Sequence, residues 1–500
     1  MKKSVKTVFW IYALLFFIII ANLVKISVFD RDKIINNPYN PRISNTSQNI
    51  MRGAILDAKE RPIAETVRYD NENDALGRGY SYKRVYNFPY AFAHISGYTG
   101  SGKTGAEKEY NYILETVSNE LYQTLASVTA KKDIKGDDIV LTIDADLQNY
   151  AAEQLGTSKG AVVALEPDSG KILTMVSYPN YDPNTVAQNW TALNTDTENS
   201  PLMSRAAQGL YPPGSTFKII TAAAAIESDP DLINYNYYCY GEENFDGKIL
   251  HCYNSIDHGS EDMNNAFAQS CNTYFAKIGT MLGAQKLKAE ADKFFVDPDF
   301  PLEYSKPLFT LDDTSPMHEL VDTSIGQGKT LVSPLFMAMV TGAVANGGTM
   351  MKPYLLDHSI TSFGLKSNVT IPEKLTQVLS PEDAGRVTEL MKQVVAYGTA
   401  EDAAFSIEGK YDSVASDSAL SASSFNDGNA FLTGPITVAG KTGTAENSSG
   451  ADHAWFVAFA PAEDPHIAVA VLLENAGKGS KAIPVARNVM KYYLSNCYTE

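Results

Sequence analysis

The sequence predicts an α/β layer domain carried behind a membrane anchor. Three observations carry that reading. Apolar strand-like runs stand at both ends of the last about 360 residues, with helical patterns between them. A 17-residue apolar run, Val8–Val24, lies near the N-terminus. The 500-residue chain is 44% hydrophobic and 20% charged, a composition that excludes wholesale disorder, collagen and coiled coil.

Lys2, Lys3 and Lys6 precede the apolar run, and Asn22 is its one strongly polar member. The run spans roughly 26 Å as a helix, just under a hydrocarbon core of about 30 Å. Lys25 can snorkel, and Ile26, Val28 and Phe29 extend the apolar stretch. Asp30 and Asp32 follow it, partly offset by Arg31 and Lys33. This asymmetry predicts a cytoplasmic N-terminus and an extracytoplasmic chain. No A-x-A site follows, and the run exceeds the about 7–15 residues of a signal peptide. Residues 1–29 are therefore expected to be a cytoplasmic tip and an uncleaved, single-pass anchor.

Residues 30–135 read as a small mixed domain. It has strand-like runs at Asn49–Leu56 and Tyr90–Ile95 and a helical stretch near Glu107–Leu125. The charged segment Lys131–Asp138, with Gly136, reads as a linker to a second domain over 136–500. There Ile139–Ile143 reads as a buried strand and Asp144–Leu155 as a helix. Gly160–Leu165 and Ile172–Val176, separated by a turn containing Asp168, Ser169 and Gly170, read as a hairpin. An Ala-rich helix over 214–228 is entered through Pro212-Pro213-Gly214. Helical patterns fill 260–293 and 333–346. Ile436–Ala439, Phe456–Phe459 and Ile467–Leu473 are strand-like, and Arg487–Leu494 closes as a helix. Residues 402–429, rich in Ser, Ala and Asp, read as a flexible surface insertion.

Lys plus Arg number 41 against 58 Asp plus Glu, a net charge of −17. Such a chain has no global attraction for nucleic-acid phosphates. The four cysteines form no C-x-x-C, and there is no H-E-x-x-H or close His pair. Neither a metal site nor a cofactor is expected. Cys239 and Cys252, thirteen positions apart outside the cytoplasm, either pair as a disulfide or remain two thiols.

Three short strings carry chemistry. In Ser215-Thr216-Phe217-Lys218, positions i and i+3 share a helix face at a helix start, where free N–H groups favour developing negative charge. Lysine can act as base for the serine once burial or a nearby cation lowers its pKa. Ser270-Cys271-Asn272 fits a turn joining two helices, its hydroxyl able to relay a proton and its amide able to hold a carbonyl. Lys441-Thr442-Gly443-Thr444 follows a strand-like run. Gly443 lets a ligand approach the backbone, Lys441 supplies a cation, and Thr442 can bind a carboxylate. Each string alone is weak: Ser47-Gln48-Asn49, Ser424-Phe425-Asn426 and Lys103-Thr104-Gly105 are second copies. Gly97–Thr104 also matches G-x-x-x-x-G-K-T, but outside the cytoplasm it reads as a Gly-rich turn rather than a nucleotide site.

The ordered trio S-x-x-K, S-x-N and K-T-G is specific to penicillin-binding proteins and serine β-lactamases. With it stand Arg52–Asp57, the YPNYDPN at 178–184, Tyr211–Lys218, Ser324–Gly328, Tyr397–Ala400, Val438–Glu446 and His453–Phe456. Together these segments resemble the class B penicillin-binding proteins, the monofunctional peptidoglycan D,D-transpeptidases. The resemblance implies an antiparallel sheet flanked by helices plus an all-helical lobe, preceded by a pedestal of dimerisation type.

It also implies a mechanism. Ser215 attacks the D-Ala-D-Ala carbonyl of a stem peptide, Lys218 takes its proton, and Ser270 relays a proton to the leaving amine. Asn272 positions the donor amide. Ser215 and Thr444 backbone N–H groups hold the oxyanion, and Thr442 and Thr444, with Lys441, hold the terminal carboxylate. β-Lactams would acylate Ser215. A polytopic glycan polymerase is the partner the family implies, and no nucleic acid is. The competing readings are a membrane-anchored class D-like β-lactamase or D,D-carboxypeptidase, a β-lactam sensor, and a non-catalytic scaffold. Asn272 stands where class D enzymes carry valine, and all the polar groups of the site are present.

Overall fold

The computed structural model describes residues 2–26, 50–74, 79–99, 102–115, 134–407, 434–447 and 450–498. The expected Ser-rich insertion lies mostly outside these residues, as does the second half of the helical stretch Glu107–Leu125.

Lys2–Val24 is one α-helix, and Lys6–Val24 is long and apolar enough to cross a membrane, with none of that window buried against the rest of the chain. A shorter apolar helix, Pro334–Ala345, is buried from Pro334 through Val344 and is a core helix, capped by Ser333.

The expected hairpin is the edge of a five-stranded antiparallel sheet. Its order is Ala439–Ala445, His453–Ala460, Ile467–Leu473, Gly160–Leu165 and Ile172–Tyr178. Ile467–Leu473 is buried at every position, as a central strand covered on both faces must be. The helices Pro334–Ala345 and Ile483–Asn496 pack on this strand. Lys218–Ser228 is buried from Lys218 through Ile226 and packs against Asn272–Phe294, a helix interrupted at Gly283. Met263–Ala268 and Pro381–Ala396 complete the helical lobe. Residues 160–178 and 439–473 thus build the sheet, and the helical lobe lies between them in sequence.

A second, six-stranded sheet runs Lys366–Ser367, Leu356–Ile360, Asp138–Leu141, Ile55–Leu56, Pro62–Asp70 and Tyr80–Tyr86. Ile55–Leu56 pairs in parallel with Asp138–Leu141, and the other pairings are antiparallel. N-terminal strands are thereby sewn to strands from far along the chain. Glu107, fully buried, is held by Arg52 Nε at 2.6 Å and Arg84 Nε at 2.7 Å.

One expected strand is a helix. Tyr90–Ile95 contributes to Ala93–Ser96, and the reason is spacing: Phe88, Phe92 and Ile95 recur at i, i+4 and i+7. Phe88 and Phe92 rings lie 5.8 Å apart, with Phe92 and Ile95 buried. Within the Gly97–Thr104 string, Gly97 ends this helix, Thr104 precedes Gly105–Glu109, and Lys103 is engaged by Asn111 and Glu115.

Candidate active site

Ser215 lies on a 3₁₀ turn, Gly214–Phe217, which feeds the α-helix beginning at Lys218. In a 3₁₀ turn residues i and i+3 eclipse, so Ser215 and Lys218 share a face more closely than an α-helical start would give. Gly214 has φ +53°, and a Cβ there would meet Thr444 O at 2.6 Å. Only glycine lets the turn press against the Ala439–Ala445 strand. Ser215 is half-buried and Lys218 fully buried.

Ser270 and Asn272 occupy the turn between Met263–Ala268 and Asn272–Phe294, as their spacing predicts. Ser270 holds φ +59°, a strained value for a residue with a side chain. The strain aims its hydroxyl between two lysines. Lys441 Nζ donates to Ser270 Oγ at 2.8 Å, and Lys218 Nζ lies 3.3 Å from the same oxygen. Lys218 Nζ also donates to Ser270 O and to Asn272 Oδ1, both at 2.8 Å. A neutral amine has two N–H groups for these acceptors and one lone pair left to receive a proton.

Burial pulls Lys218 down to about 8. Lys441, fully buried on its strand, is pushed well below the usual lysine range by burial and then by Lys218. Two buried ammonium groups sharing one hydroxyl cannot both keep a proton easily. Phe275 and Phe267 face the two amines at 5.6 and 5.4 Å.

Thr442 Oγ1 meets Thr399 Oγ1 at 2.6 Å, and Thr444 Oγ1 accepts from Gly479 N at 3.1 Å. Gly443 packs on Thr216 and Trp455, whose Nε1 donates to Pro212 O at 2.9 Å. All three strings therefore converge. Ser215, Ser270, Asn272, Thr442 and Thr444 line one cleft of about 1280 Å³. Lys248–Ile256 lines the same cleft, with His251 O accepting from Asn272 Nδ2 at 3.0 Å; the sequence did not mark this segment as part of the site, because its place depends on tertiary packing.

Behind the Ser270 turn, Cys239 and Cys252 are thiols with sulfurs 3.6 Å apart, and Cys271 and His258 adjoin them.

Residues 160–491 match the family profile of the penicillin-binding protein transpeptidase domain. The chain belongs to that family. Residues 52–139 match the penicillin-binding protein A dimerisation domain. Among curated relatives of this penicillin-binding protein is the peptidoglycan D,D-transpeptidase PbpA of Mycolicibacterium smegmatis. It is 32% identical over 97% of this chain and 98% of its own length. Among solved structures, penicillin-binding protein A from M. tuberculosis as an imipenem acyl-enzyme complex superposes with a TM-score of 0.77. It is 30% identical, covering 90% of this chain and 99% of that one. The D,D-transpeptidase domain from Eggerthella lenta gives 0.74 at 31% identity, covering 89% and 98%. The fold expected from the resemblance, an antiparallel sheet with a helical lobe behind an N-terminal apolar helix, is the fold found.

Proposed function

We propose that this penicillin-binding protein crosslinks cell-wall strands as a peptidoglycan D,D-transpeptidase, with Ser215 as nucleophile. The observation that carries the assignment of roles is the Ser270 hydroxyl held between the Lys218 and Lys441 amines in the cleft that Ser215 lines. Lys218 takes the Ser215 proton as Oγ attacks the carbonyl between two D-alanines. Backbone N–H groups of Ser215 and Thr444 receive the oxyanion, a contribution of about 3–4 kcal/mol per donor. Ser270 passes a proton to the departing D-alanine amine and is recharged by the proton Lys218 took, from 3.3 Å away, while Lys441 holds the hydroxyl at 2.8 Å. An acceptor amine then attacks the acyl-enzyme and gives up a proton through Ser270 and Lys218 to the Ser215 oxygen, forming the crosslink and freeing Ser215. Thr442 and Thr444 hold the terminal carboxylate beside Lys441, and Asn272 holds the donor amide.

The two lysines that serve opening of the peptide also serve opening of a β-lactam ring, so penicillins acylate the same serine. Residues 30–135 act as a pedestal and 136–500 as the transpeptidase domain. The N-terminal helix anchors the protein with its N-terminus in the cytoplasm and the cleft outside. A polytopic glycan polymerase is the membrane partner that anchor and pedestal would meet.

Fluorescent penicillin labelling of the full-length protein beside Ser215→Ala tests this. A stable adduct on wild type and none on the folded variant is expected. Labelling of Ser215→Ala, or rapid turnover to free product by wild type, would overturn the assignment.

A further inference from the structure

Cys239, Cys252, Cys271 and His258 each offer one ligand atom, and all four atoms lie within 4.8 Å of one another. Cys239 Sγ is 3.6 Å from Cys252 Sγ and 3.4 Å from His258 Nδ1, and Cys252 Sγ is 3.7 Å from Cys271 Sγ. A disulfide requires about 2.05 Å. A tetrahedron with metal–sulfur bonds of about 2.3 Å and a metal–nitrogen bond of about 2.0 Å has edges of about 3.5–3.8 Å. The three separations follow those edges. We propose that these four side chains bind one structural zinc ion as a Cys₃His site.

The surroundings fit thiolates. The backbone N–H groups of Gly241 and Tyr274 each donate to a sulfur at 3.4 Å, on Cys239 and Cys271 respectively. The buried Thr273 hydroxyl lies 3.2 Å from Cys239 Sγ, 3.4 Å from Cys271 Sγ and 3.6 Å from Cys252 Sγ. Such donors favour the deprotonated form that a metal binds and fix ligand orientation. Three thiolates with one imidazole select zinc over magnesium or calcium, and four protein ligands close the site to substrate.

The fold also has a use for the ion. The ligands come from the strand Tyr237–Cys239, the two sides of the loop before Gly259–Glu261, and the cap of Asn272–Phe294. Residues 237–261 hold only two-stranded ladders. They expose Tyr238 at 52%, Tyr240 at 71% and Ile249 at 56%. A segment with so little apolar burial gains its rigidity from a metal cross-link. Lys248–Ile256 of that segment lines the cleft, and Cys271 stands between Ser270 and Asn272. The ion would tie this lining to the turn that holds the proton relay.

The test is metal analysis of the full-length protein purified in detergent without chelator. About one zinc per chain is expected, with less than a tenth of that in Cys239→Ser and His258→Ala. Should those variants fail to fold, chelated wild type titrated with Co²⁺ carries the test, through the visible bands of tetrahedral thiolate cobalt. Iodoacetamide mapping should find Cys239, Cys252 and Cys271 protected by zinc and labelled after chelation, with Cys497 as reference. Labelling of the three that zinc does not alter, or recovery of two of them as a disulfide, would overturn the proposal.

Discussion

In the proposed mechanism the proton traffic turns on Ser270, whose hydroxyl both buried amines reach. Ser270→Ala should lower the penicillin acylation rate about 10²–10⁴-fold, the range for a lost proton-transfer group, while labelling at long times persists. Burial lowers Lys218 to about 8, and only its neutral form can accept the Ser215 proton. Acylation should therefore be slow below 8, rise through it and level above. Stopped-time labelling across that range measures it, and a flat profile would remove Lys218 as the base. These residues were legible in the sequence as three ordered strings. What no string could give is Ser270's left-handed backbone, since a strained φ is imposed by packing around the turn.

At the scale of elements, the proposed oxyanion site needs the Ala439–Ala445 strand close against the Ser215 turn, where Gly214 and Gly443 let it lie. A Cβ at Gly443 would come within 2.9 Å of Thr216 Cγ2 and Trp455 Cβ. Gly443→Ala should therefore push strand and turn apart, with an overpacking cost of about 1–3 kcal/mol. The expected reading is a fall in acylation rate larger than the fall in melting temperature would explain. Sheet strands were legible because buried strands read as continuous apolar runs, as Ile467–Leu473 does. Tyr90–Ile95 was misread because short apolar runs suit strand and helix alike, and the i, i+4, i+7 set starts at Phe88, before the run. The thiol cluster was illegible for another reason. Its members are thirteen, six and thirteen positions apart and meet only when three segments fold together.

At the scale of the whole molecule, the six-stranded sheet makes the N-terminal strands and Leu356–Ile360 one mechanical unit, locked by Glu107. Burial raises the Glu107 carboxyl, but the guanidinium groups of Arg52 and Arg84 outweigh it and hold the group below its usual range. A depressed carboxylate contributes stability above its unfolded value, and that contribution is lost as pH falls through its folded value. Arg84→Ala breaks a buried pair and leaves the carboxylate to Arg52 and the Tyr86 hydroxyl, at a cost of up to about 3–5 kcal/mol. The variant should melt lower than wild type at neutral pH, and the gap should narrow in acid, where Glu107 is protonated in both. A gap that stays constant with pH would mean the arginine acts through packing. The N-terminal apolar helix, the proposed anchor, is separate from this unit: none of the Lys6–Val24 window is buried against the rest of the chain. Removing residues 1–26 should then move the protein from the membrane pellet to the soluble fraction while its penicillin acylation rate changes less than twofold. A truncated protein that stays with the membrane would mean that another surface, beyond the helix, holds it there.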